Sequence, residues 1–188
     1  GVLVTECEDT TRDIDFNFDG VHRWNYALDT LTNVDILNIK AITDTFRLRG
    51  LFTSASPLLA LGVSAGGAFG CNISTLLGWK AAITHHSPGP DWVAGITQTP
   101  IRYDMNINDS HPEVGMPGNL EAFANNDTLT ARGICSRIDL LLPQPVFPER
   151  FARVTNADSV GVSISIAIFN ELLTNGLLDA NNYLISSG

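Results

Sequence analysis

A serine hydroxyl becomes a candidate nucleophile when the chain holds it at a sharp bend between a strand and a helix. Gly62-Val63-Ser64-Ala65-Gly66 has the spacing for that. The apolar run Leu58–Leu61 leads into it, and Gly67, Ala68 and a small-residue segment able to form a helix follow. This G-x-S-x-G pattern, in strand–turn–helix context, is that of a nucleophile elbow. A serine there sits in a strained backbone conformation. Its neighbours must be small because the chain passes close to itself, and Gly62 and Gly66 meet that need. The first N–H groups of the following helix have no intrahelical acceptor, and the helix dipole favours negative charge beside them. The N–H of Ala65 therefore faces the position of an oxyanion forming beside Ser64. The same five residues also fit a tight glycine turn in which Ser64 is a bystander.

Four histidines are available as a base: His22, His85, His86 and His111. His111 stands two residues after Asp109 in the turn-rich stretch Asn108-Asp109-Ser110-His111-Pro112. His85 and His86 end the strand-like WKAAIT. His22 lies in a polar loop and reads as structural. Asp104, inside the strand-like PIRYDMNI, reads first as a face or edge charge and second as a candidate acid.

Other chemistries find less support. The glycines after Ser64 are followed by Ala68, Phe69 and Gly70 and no lysine, so the turn is not a P-loop, and its spacing is not G-x-G-x-x-G. Cys7, Cys71 and Cys135 form no C-x-x-C pair and no zinc pattern with the histidines. Asp9, Asp13, Asp15 and Asp19 read as a solvated acidic loop. No cofactor or metal is called for. The net charge of −9, with 11 basic residues and no basic run, disfavours nucleic acid and anionic membrane surfaces as partners. No apolar run is long enough to span a membrane.

The elements that must position Ser64 alternate in type. Strands are expected at 2–6, 58–63, 79–84, 100–107 and 136–142. Helices are expected from about Asn25 to Arg49, from the elbow to Leu77, from Leu120 to Arg132 and from Val160 to Leu173. With 188 residues, 44% hydrophobic and 16% charged, the chain is expected to fold as one globular domain over 1–188. Alternating apolar strands and helices indicate an α/β class with a mostly parallel sheet and helices on both faces. Sites in such sheets gather at the carboxyl ends of the strands. The loops carrying Ser64, His85–His86 and Asp109–His111 all follow strands.

In this order of elements the chain resembles the α/β-hydrolases, through LALGVSAGGAFG at 59–70 and then WKAAIT, PIRYDMNI, a helix and SRIDLLL. The resemblance implies hydrolysis of carboxylic esters by a Ser–acid–His triad. Ser64 matches the nucleophile and Asp109 the acid. The sequence departs from the family in two places. No histidine follows residue 111, where the family has its base, and there is no early His-Gly dipeptide. His111, or else His85, is then the base, and a small-molecule ester the substrate. The family's opening strands are missing from this order, so the chain, which begins at Gly1, is expected to be either a fragment (a mature or excised piece) or a reduced form of the architecture. The alternative function is that of an impaired hydrolase-like protein that binds a ligand or partner in the same cleft.

Overall fold

A computed structural model describes residues 24, 26–107, 116–153 and 160–185. The strand expected at 2–6, His22, Asp109 and His111 lie outside them. The chain divides into two compact units, residues 1–141 and 142–188.

The first unit is an α/β fold built on four parallel strands in the order β1-β2-β3-β4. They are β1 (Leu59–Val63), β2 (Ala81–His85), β3 (Ile101–Asn106) and β4 (Ser136–Leu141). Helices α2 (Ala65–Leu76), α3 (Asp91–Ile96) and α4 (Met116–Ala131) connect them in turn. Along each strand, alternate side chains enter one core. Ala60, Ala82, Ile101, Tyr103 and Met105 meet Cys71 of α2, Val93 and Ala94 of α3, and Ala122 and Leu129 of α4. The intervening positions of β1, Leu59, Leu61 and Val63, point the other way and are 57–67% exposed.

Helix α1 (Val34–Leu48) adds a second apolar cluster, Ile36 and Ile39 against Phe69 and Ile73 of α2, with Trp24 stacked on Phe69 at 4.3 Å. It starts later than its apolar spacing suggests. The Asp29 carboxylate takes the Leu31 N–H and the Thr32 hydroxyl, which closes a turn. The Asn33 side chain then accepts from the N–H groups of Asp35 and Ile36, a helix cap. The other boundaries shift by a few residues. α4 begins at Met116 because Pro117 is tolerated in a first turn. The six-residue α3 is an element that the apolar pattern does not announce.

The second unit holds α5 (Val162–Thr174) and a small core of Val146, Phe169 and Leu178, flanked by Phe151 and Leu172. The buried Ser165 hydroxyl donates to the Pro148 carbonyl and accepts from the Phe151 N–H, fixing the chain that precedes the helix.

Candidate functional site

Ser64 stands between the last residue of β1 and the first of α2, with φ 53° and ψ −128°. Positive φ is uncommon for a residue with a Cβ and costs about 1–3 kcal/mol. The surroundings impose it from both sides. The Ser64 N–H donates to the His85 carbonyl at 2.8 Å, which continues the β1–β2 ladder past Val63. The Ser64 carbonyl accepts from Gly67 at 2.9 Å and Ala68 at 3.3 Å, which starts the helix. One residue thus ends a strand and opens a helix. The Ser64 side chain makes no capping hydrogen bond and is exposed.

The crossing of helix and strand explains the glycines, with one correction. A Cβ on Gly62 would strike the Gly66 carbonyl and lie 2.6 Å from the Gly67 nitrogen. A Cβ on Gly66 would meet nothing closer than Trp24 Nε1 at 3.5 Å, an ordinary contact. The second position that must be small is instead Gly67. A Cβ there would strike the Thr84 hydroxyl and come within 3.1 Å of the Gly62 carbonyl. The helix approaches the sheet through Gly67, so the tight spacing falls one residue later than the symmetric motif suggests.

The loop after β2 forms the opposite wall. Thr84, fully buried, donates its hydroxyl to the Ser87 carbonyl at 2.9 Å. Gly89 is at φ 70°, and a Cβ there would meet Cys71 Sγ at 3.4 Å and the Tyr103 ring at 3.7 Å. Asn125 of α4 reaches across 36 residues of sequence to donate to the carbonyls of Pro88 and Gly89, at 3.1 and 3.3 Å. Between this loop and the start of α2 lies a cavity of about 380 Å³. Ser64, Ala65 and Ala68 line one side, Pro88 and Pro90 the other, with Trp92 of α3 and Tyr26 completing it. The Tyr26 hydroxyl donates to the Ala65 carbonyl at 2.9 Å.

Asp104 is not a loose face charge. It is 4% exposed; its carboxylate accepts from Arg102 Nε at 2.7 Å and lies 3.3 Å from His85 Nδ1. Arg102 also reaches Asp139 at 3.1 Å, and Asp139 holds Arg137. Parallel register sets this chain of charges, with His85 opposite Asp104 and Asp104 opposite Asp139. His85 and Asp104 each follow a core-facing residue, Thr84 and Tyr103, so both side chains lie on the sheet face opposite α2. Ser64 and His85 are therefore joined through their main chains, while the His85 ring is not among the residues that wall the cavity.

Trp92 lines the cavity, Trp24 stacks on Phe69, and Phe151 packs in the second unit. Spacing alone did not reveal Asn125 and Tyr26. Ser87-Pro88-Gly89-Pro90 are turn-forming residue types, while the clamp comes from Asn125, far along the chain.

Among the described residues no group of three or more His, Cys, Asp or Glu side chains could hold a metal. No described helix is long and apolar enough to cross a membrane. No protein-family model, no curated protein and no solved structure matches the chain.

Proposed function

We propose that the protein is a serine hydrolase that cleaves carboxylic esters through an acyl-enzyme on Ser64. The observation that carries this reading is the backbone of Ser64, a non-glycine residue at φ 53° on a strand-to-helix bend, with its hydroxyl uncapped beside a cavity. Strain of that kind persists where the surrounding structure over-determines it, and it clusters at working sites. In the proposed reaction, Ser64 Oγ attacks the ester carbonyl carbon while a histidine takes its proton. The N–H of Ala65, first in α2, stabilises the oxyanion. Collapse of the tetrahedral intermediate breaks the bond to the alcohol, which leaves with the proton from the histidine. Water, deprotonated by the same histidine, then releases the acid and restores Ser64.

His111, oriented by Asp109, is the base in this scheme, and His85 is the alternative. The His85 ring lies 3.3 Å from the Asp104 carboxylate, on the sheet face opposite α2 and outside the cavity lining, so it serves as base only if its side chain turns toward Ser64. A positioned base contributes about 10²–10⁴-fold. Replacing each histidine by Gln in turn identifies the residue with that loss.

Two measurements test the reading. A fluorophosphonate should label Ser64 stoichiometrically, as read from the modified peptide by mass spectrometry. Ser64→Ala should lower kcat/KM on p-nitrophenyl acetate by about 10³-fold or more. Equal rates for the two proteins with no labelling would dismiss it.

A further inference from the structure

We infer that the cavity beside Ser64 selects esters whose acyl group is short and uncharged, and that Trp92 limits its length; this deepens the hydrolase reading and rests on it. The acyl group is the part of an ester that stays bonded to Ser64 after the alcohol leaves, so the walls around Ser64 must house it. At about 380 Å³ the cavity stands near the lower end of small-molecule sites, about 300–1,000 Å³.

Its chemistry is as restrictive as its size. None of the described lining residues carries a charge. Apart from the Ser64 hydroxyl and the Ala65 N–H, which the proposed reaction itself uses, the polar side chains have partners. The Tyr26 hydroxyl donates to the Ala65 carbonyl, and the Ser87 hydroxyl accepts from the Gly89 N–H at 3.3 Å. A carboxylate or ammonium on the acyl chain would give up water at these walls and find no charged side chain among the described lining, while the N-terminus of α2 is committed to the forming oxyanion. An alkyl chain would gain contact with Ala68, Pro88, Pro90 and the Trp92 ring.

The walls are also fixed in place. Asn125 holds the carbonyls of Pro88 and Gly89, and Trp92 packs partly against the main core. Trp92 is the bulkiest side chain of the lining, so the limit on chain length is assigned to it.

The experiment uses p-nitrophenyl acetate, butyrate and octanoate at constant leaving group. A matched pair adds the charge test: p-nitrophenyl hemisuccinate, which is anionic, and its neutral methyl ester. The expected kcat/KM falls by about tenfold or more from butyrate to octanoate, and by a similar factor from the neutral succinate to the anion. Trp92→Ala should raise the octanoate-to-butyrate ratio by about tenfold. Ala68→Leu, which fills the cavity from a half-buried position of α2 and leaves Trp92 packed, should lower butyrate hydrolysis by more than acetate hydrolysis. Ratios that ignore chain length or charge overturn the inference while leaving the hydrolase reading intact. So does selectivity that follows the alcohol when the acyl group is held constant. Failure of every ester, together with no fluorophosphonate labelling of Ser64, overturns both.

Discussion

The main-chain N–H of Ser64 and the carbonyl of His85 form a 2.8 Å hydrogen bond that carries the β1–β2 ladder one residue beyond the strand. That bond fixes where β1 stops. With the Ser64 carbonyl already committed to the first turn of α2, the residue has no freedom to relax its positive φ. The candidate nucleophile is held by backbone bonds, which leaves its hydroxyl unspent.

Stability and reactivity should therefore part at this residue. Ser64→Gly removes the Cβ that makes φ 53° unfavourable, so it is expected to stabilise the fold by about 1 kcal/mol, a few degrees in Tm, while abolishing labelling by a fluorophosphonate. Ser64→Ala keeps the Cβ and should leave Tm within about a degree. A Gly variant less stable than the Ala variant would show that the bend is unstrained.

The glycines of the motif should respond unequally. Gly62→Ala drives a Cβ into the main chain of Gly66 and Gly67, which cannot move without dismantling the first turn of α2. A loss of about 3 kcal/mol or more is expected. Gly66→Ala finds only an ordinary contact with Trp24 and gains up to about 1 kcal/mol of helix propensity, so its stability should be unchanged or higher. Urea denaturation of the two variants checks this, and equal losses would contradict it.

Burial, with the Asp91 carboxylate beside it, holds the Glu121 carboxyl above its ordinary range. A folded-state value above the unfolded one means that this group's contribution is most favourable at acid pH. It is lost as pH rises from the ordinary carboxylate range through the folded-state value. Glu121→Gln should therefore raise stability at pH 7 by less than about 1 kcal/mol, because the site is partly solvated, and the gain should vanish near pH 4. Denaturation curves at the two pH values test the sign, and a variant less stable than the parent at pH 7 would reverse it.

Cysteine reactivity should map onto burial. Desolvation pushes the Cys71 thiol up to about 12, and Cys135 is exposed. Iodoacetamide at pH 8 should alkylate the native protein at Cys135 and spare Cys71, since the thiolate is the reactive form. Comparable modification of the two peptides would mean that α2 lifts from the sheet in solution.

What the residues announced by themselves were local matters. Apolar runs marked β1 to β4, and small residues between them marked the bend at Ser64, because burial of a strand and clearance at a turn both act over a few neighbouring positions. Backbone polar side chains already blurred that reading. Asp29 and Asn33 delayed α1 through hydrogen bonds that apolar spacing does not register. The tertiary structure decided everything that depends on distance across the chain. It set His85 against Asp104 by strand register, and it moved the demand for a small side chain from Gly66 to Gly67 through the position of Thr84. It also clamped the loop at Pro88 with Asn125 from a helix far along the sequence. Pairings of this kind arise only when separate elements pack, since each partner alone satisfies the same local rules wherever the other is placed.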